Sequence, residues 1–353
     1  LLLQDMGDFS AARPLFERAV AICEKALGPE HPHTAICLNC LAGLLHAMGD
    51  LPAARPLFER ALAIHEKALG PDHPETARSL STLASLLQAM GDLPAARSLY
   101  ERALAINEKA LGPEHPDTAT SLNGLALLLQ AMGDFSAARR LLERALTIRE
   151  KALGPDHPHT ASSLNNLALL LKAMGDLPAA RPLLERALAI YEKALGPEHP
   201  DTANGLNNLA WLLQTMGDLP AARPLFERSW TATGRQLHAV LPALPSASRQ
   251  LALVARAPYL ENYLIAFSDD PVRTYAAVLV WKGSALRTSL ASLHLPEDAP
   301  AEARNLLSRL TLARRALAEA AFWSMDARHD PPSSADSREG RPSVADRFAR
   351  ASK

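Results

Sequence analysis

The stretch Asp117 to Pro158, DTATSLNGLALLLQAMGDFSAARRLLERALTIREKALGPDHP, returns lightly edited every 42 residues and decides how the chain is read. Its Met-Gly-Asp triplet recurs with the glycine at Gly7, Gly49, Gly91, Gly133, Gly175 and Gly217. Its His-Pro pair recurs at His31, His73, His115, His157 and His199. A fixed period of this length marks a stacked-repeat protein, in which each unit buries its apolar face only by leaning on its neighbours.

Within one repeat, Leu122, Leu125, Ala126 and Leu129 fall at i, i+3, i+4 and i+7 and draw one apolar stripe along a helix, called A here. Gly133 can take the left-handed conformation that closes helix A, and Asp134 can cap the N–H groups of a second helix, B. Met-Gly-Asp is therefore a tight turn between antiparallel helices. Along helix B, Ala138, Leu142 and Ala145 form a seam of small and large residues that lets the two helices approach closely. Lys151 suits the negative end of that helix. Gly154-Pro155 ends it, and His157-Pro158 opens the next helix with proline where a missing N–H costs little. Pro14, Pro56, Pro182 and Pro224 lie inside helix B, where a proline costs roughly 3 kcal/mol. Ser98 and Arg140 occupy the same place in other repeats, and the apolar stripe runs on through it, so a slight bend is expected rather than a break.

The small and large residues at Ala126, Leu129, Ala138, Leu142 and Ala145, with Gly133-Asp134 at the turn, resemble a tetratricopeptide repeat. The repeat length, the ER-AL-I-EKALGP-HP ending and the SLNNLA start at Ser163 to Ala168 resemble the kinesin-light-chain type. The resemblance covers roughly residues 1 to 230 and implies an all-α fold: a right-handed superhelical solenoid of antiparallel helix pairs, one truncated and five complete, followed by a C-terminal helical segment.

Composition narrows the function classes. A formal net charge of -1 with 5% aromatic residues offers neither a basic footprint nor stacking platforms for nucleic acid. The longest apolar runs are too short to span a membrane. Three cysteines give no disulfide framework, which favours a reducing, cytoplasmic setting. The chain begins within a helix A and without methionine, as a fragment would.

At Ser229-Trp230 the pattern breaks. Three further helical segments are expected near 246–267, 270–292 and 298–323, within a capping or linker region over 231–325, and residues 326–353 read as a disordered tail or linker. The segment Tyr275 to Arg287, YAAVLVWKGSALR, resembles the stretch between repeats and peptidase in bacterial tetratricopeptide-CHAT proteins. That resemblance implies an alternative role, the regulatory arm of a larger protein carrying a caspase-like peptidase.

Several residues invite chemistry and have plainer readings. Histidines of successive His-Pro pairs are separated by two helix layers, roughly 16 to 20 Å at 8 to 10 Å per layer, whereas zinc ligands converge at about 2 Å. They read as helix-entry residues. Cys37-x-x-Cys40 could be half a metal or redox site, but these cysteines take the slots of Ser79 and Thr82 one repeat on, and read as small residues on helix A. Cys23 shares a slot with His65, Asn107, Arg149 and Tyr191, and so reads as a variable surface position. No nucleophile, base and acid converge, and no phosphate loop is present, so the chain reads as non-enzymatic, with no cofactor and no small-molecule substrate.

A second stripe on helix A lies away from the buried one: Thr120, Asn123, Gly124, Leu127 and Gln130. The family resemblance places it on the concave groove and implies that its asparagines bind the backbone of an extended peptide. One column is Asn39, Ser81, Asn123, Asn165 and Asn207; beside it run Cys40, Thr82, Gly124, Asn166 and Asn208. Asparagine carries both donors and acceptors, so a ladder of them satisfies a peptide backbone without reading its side chains. Ser81, Cys40 and Gly124 interrupt it. The neighbouring slot Gly43, Ser85, Leu127, Leu169, Trp211 grows more apolar toward the C-terminus, where Trp211 is a candidate anchor. Gln130 and Gln214 sit farther along the groove, and its few basic residues are chiefly Arg78 and Lys172, which disfavours a clamp for acid-tailed peptides. The expected function is a protein-interaction scaffold holding an extended peptide or protein segment in this groove, with competing possibilities that the asparagines bond neighbouring helices and that the last helices cover Trp211.

Overall fold

The computed structural model describes residues 9–240 and 257–267. Eleven helices run consecutively over the first range: α1 (Phe9–Leu27), α2 (Pro32–Ala47), α3 (Leu51–Leu69), α4 (Pro74–Ala89), α5 (Leu93–Ala110), α6 (Pro116–Ala131), α7 (Phe135–Leu153), α8 (Pro158–Ala173), α9 (Leu177–Leu195), α10 (Pro200–Thr215) and α11 (Leu219–Val240). The even-numbered helices are the A helices, the odd-numbered the B helices. A further helix, α12, covers Ala257–Ala266. No strand occurs among the described residues.

Each turn is built as the local sequence dictates. Gly133 has φ of +86° and its N–H bonds the Gln130 carbonyl at 3.0 Å, while Asp134 N–H reaches back to the Leu129 carbonyl at 2.9 Å. The left-handed residue thus satisfies carbonyls that the ending helix would orphan. Asp134 then accepts the Ala137 N–H at 3.0 Å and caps α7. At the other turn, His157 caps α8 by accepting the His159 N–H on Nδ1 at 3.1 Å, and Thr160 donates its hydroxyl to the Gly154 carbonyl at 2.8 Å. His31, His73, His115 and His199 make the same cap, so the His-Pro histidines are helix-entry residues. Helices α1, α3, α9 and α11 run unbroken through Pro14, Pro56, Pro182 and Pro224.

The core is a ribbon shared between repeats. Ala119 and Leu122 of α6 pack with Ala145 and Ile148 of α7, with Leu104 of the preceding B helix and Leu141 closing the cluster. Ala126, Ala138 and Leu142 are fully buried along the expected seam. Successive A helices also touch one another, α2 with α4, α4 with α6 and α8 with α10, which sets them on the inside of the curve. The result is a right-handed superhelical solenoid of antiparallel helix pairs. Its flank is stitched by ion pairs between repeats, such as Arg144 with Glu108 and Arg186 with Glu150, both at 2.6 Å. Exposed pairs of this kind contribute at most about 1 kcal/mol each, so packing carries the fold.

The chain divides into two compact units, Leu1–Val240 and Leu241–Lys353. In the second, Tyr263 is buried and its ring lies 4.6 Å from that of Phe267. Of the expected segment 246–267, helix α12 is described. The segments 270–292 and 298–323, the Tyr275 to Arg287 stretch and the tail 326–353 lie outside the described residues.

Candidate functional site

The A helices present the expected asparagines, and they are interlocked. Asn166 of α8 donates its amide to Oδ1 of Asn123 on α6 at 3.0 Å, and Asn208 of α10 donates to Oδ1 of Asn165 on α8 at 2.9 Å. At these two junctions a column-one side chain thus ties to the column-two side chain of the next repeat, and all four remain half-buried. A side-chain amide has two donors and an acceptor with two lone pairs. The bonds therefore leave Nδ2 of Asn123 and Asn165, and Oδ1 of Asn166 and Asn208, with capacity to spare. Asn207 also stands on α10 in this column and is not a free group.

Toward α2 and α4 the ladder changes character. Asn39 donates to the Ser79 hydroxyl at 2.9 Å, and its Oδ1 is shut in without a partner. Gly124 interrupts the second column for a packing reason. Tyr100 of α5 is buried and bonds Ser85 of α4, and a Cβ at position 124 would stand 2.7 Å from its Cε1. Where the B helix carries a leucine instead, at Leu142 and Leu184, the facing A residue is Asn166 or Asn208.

Along the same slot, Leu127 of α6 is 39% exposed and, toward the other end of the described array, Trp211 of α10 is 47% exposed. The Lys172 ammonium lies over the Trp211 ring, with no hydrogen-bond partner and its Nζ sealed from solvent. Burial pulls its pKa down from 10.5 to about 8. Lys172 is thus the underside of an aromatic patch rather than a cation offered to the groove, held there by cation–π attraction. Arg78 is exposed and paired with Glu75 on its own helix. Gln130 and Gln214 are half-buried.

One sequence reading is corrected. The slot of Cys23, His65, Asn107, Arg149 and Tyr191 is not a variable surface position: the last four are buried. It is the contact point between a B helix and the next A helix. Asn107 donates to Ser121 at 2.9 Å, Arg149 to Ser163 at 2.9 Å and to the His159 carbonyl at 3.0 Å, and Tyr191 lies against Gly205 while its hydroxyl bonds Ser162 at 3.1 Å. The Cys23 and Cys37 sulfurs are 2.8 Å apart. At His65 the bonds form a directed chain. Nε2–H donates to the Pro32 carbonyl at 3.3 Å, which leaves Nδ1 to accept from Ser79 at 2.8 Å, and Ser79 in turn accepts from Asn39. Burial lowers the His65 pKa, which keeps the ring neutral.

Among the described residues, no three histidine, cysteine or acidic side chains converge as metal ligands, and no helix is long and apolar enough to cross a membrane.

An array of paired helices with a polar inner wall defines a solenoid interaction scaffold. The tetratricopeptide-repeat family matches residues 1–54, 38–109, 81–151, 128–193 and 160–231, and the chain belongs to that family. It is similar to a kinesin-light-chain protein of nearly identical TPR-like repeats from Podosopora anserina, at 32% identity over 58% of this chain and 97% of that one, with a TM-score of 0.50. It is also similar to BtubC (BKLC) from P. vanneervenii, at 25% identity over 64% of this chain and 89% of that one, with a TM-score of 0.52. A comparison with curated proteins gave no match. Tetratricopeptide repeats serve as scaffolds for protein interaction and are typically non-enzymatic.

Proposed function

We propose that this array is a non-catalytic cytoplasmic scaffold that holds an extended peptide or protein segment along its A helices. The observation that carries this reading is the interlocked ladder. Its bonds fix the Asn123, Asn165, Asn166 and Asn208 amides in one orientation, so their remaining donors and acceptors need no ordering when a strand-like backbone arrives. Those groups comprise both N–H donors and C=O acceptors, the two kinds of group that pair with an extended main chain. Trp211, standing on Lys172 beyond the ladder, supplies one apolar contact of the kind that dominates binding energy.

The test is selection of a random displayed-peptide library on the immobilised array, followed by titration of a selected peptide. Asn165→Ala with Asn166→Ala is expected to weaken its binding at least tenfold, with the variant's helical circular dichroism intact. Affinity unchanged in that folded variant would remove the ladder from the function.

A further inference from the structure

The two sulfurs that meet at the junction of α1 and α2 point to covalent chemistry. Three cysteines occur in 353 residues, and two of them, Cys23 and Cys37, have their Sγ atoms 2.8 Å apart. This is within about 1 Å of the S–S bond length of roughly 2.05 Å. The pair occupies the same B-to-A contact that the next junctions fill with His65 and Ser79, Asn107 and Ser121, and Arg149 and Ser163. Those partners can only hydrogen-bond, whereas at this junction both members are thiols. Both are half-buried, so the junction is open to small reagents, while Cys40, three residues on, is exposed.

We propose that Cys23 and Cys37 form a reversible disulfide that staples α1 to α2, with a small disulfide such as oxidised glutathione as the oxidant. With Cys23 reacting first, its thiolate attacks one sulfur of the oxidant and forms a mixed disulfide, releasing one glutathione thiolate that takes the proton Cys23 lost; the same balance holds with the two cysteines exchanged. The Cys37 sulfur then attacks the Cys23 sulfur, breaking the mixed disulfide. Its proton leaves with the second glutathione. Two protein thiols become one disulfide, and one oxidised glutathione becomes two reduced ones. Burial and the bond to Cys23 push the Cys37 thiol up to about 12, and either sulfur can be the S–H donor in the reduced pair. The staple joins residues 14 positions apart and adds a covalent bond to a helix-to-helix junction otherwise held by packing. The inference is independent of the groove and its ligand.

The experiment is incubation of the full chain with oxidised glutathione, alkylation of remaining thiols, and non-reducing mass spectrometry after trypsin. Trypsin leaves Cys23 in the peptide 19–25 and both Cys37 and Cys40 in the peptide 26–60. The expected result is these two peptides joined, with one alkylated cysteine left in the longer. The link persists in Cys40→Ser and vanishes in Cys37→Ser, and the oxidised chain melts several degrees above the reduced one. Serine at position 37 copies Ser79, Ser121 and Ser163 at the other junctions and position 40 is exposed, so both variants retain the fold, which circular dichroism checks. Glutathione on Cys40 alone, with Cys23 and Cys37 both alkylated, would overturn the proposal. So would a link that survives Cys37→Ser by using Cys40.

Discussion

Tyr100 and Gly124 are shaped for one another: the ring lies where any side chain at position 124 would begin, 2.7 Å from an added Cβ. The relationship explains why the second column carries glycine at α6 and asparagine only from α8 onward. A bulky aromatic on the B helix takes the space that a leucine leaves to an asparagine.

Gly124→Asn alone is therefore expected to overpack this junction and cost about 1 to 3 kcal/mol. Combined with Tyr100→Leu, which copies Leu142 facing Asn166, it should recover most of that loss. Denaturant melts of the two single variants and the double variant give the coupling energy. Purely additive effects would show that the two side chains do not compete for the same space.

Acidification should loosen the α3–α4 junction through His65. Burial lowers its folded pKa below the unfolded value of 6.5, so the unfolded chain binds the extra proton first. Stability is then full above about pH 6.5 and falls as pH drops toward the depressed value. His65→Asn, the arrangement of Asn107 with Ser121, should flatten that part of the profile. Thermal melts of both proteins between pH 7 and 5 check it, after the other histidines' common contribution is subtracted.

Lys172 should titrate at about pH 8 rather than 10.5, read from its 13Cε resonance. Because the folded pKa is depressed, the chain gains stability from this group as pH rises from about 8 to 10.5. Lys172→Met keeps the stem over Trp211 and removes a buried, unpartnered ammonium, so it should raise the melting temperature. A fall would mean that the cation's attraction to the ring exceeds its desolvation cost.

Ala138→Leu should destabilise the array by about 1 to 3 kcal/mol, because Ala138 is fully enclosed where α6 meets α7. Arg140→Leu on the same helix, at an exposed position, should change the melting point little. Equal effects from both would place the seam elsewhere.

The fold was legible because the 42-residue period repeats every structural signal, so Gly133, Asp134 and His157 could each be assigned from several copies. The buried polar contacts were not. Cys, His, Asn, Arg and Tyr at one slot look like surface drift when that column is read alone. Each is matched to the residue 14 positions on, most plainly where Tyr191 faces Gly205 and Cys23 faces Cys37, and only the two columns together carry the signal. Asparagine was similarly ambiguous. Its amide can serve a neighbouring helix and a ligand at once, and sequence periodicity cannot divide those roles. Lys172 read as a groove cation because its charge is in the sequence while the ring of Trp211 above it, 39 residues away, is brought there by the stacking of repeats.

The most direct measurement is a crystal structure of the array with a library-selected peptide bound. The peptide is expected to lie extended across α6, α8 and α10, its carbonyls on Nδ2 of Asn123 and Asn165 and its N–H groups on Oδ1 of Asn166 and Asn208. A peptide seated on the B helices, or one that leaves those four amides untouched, would contradict the account.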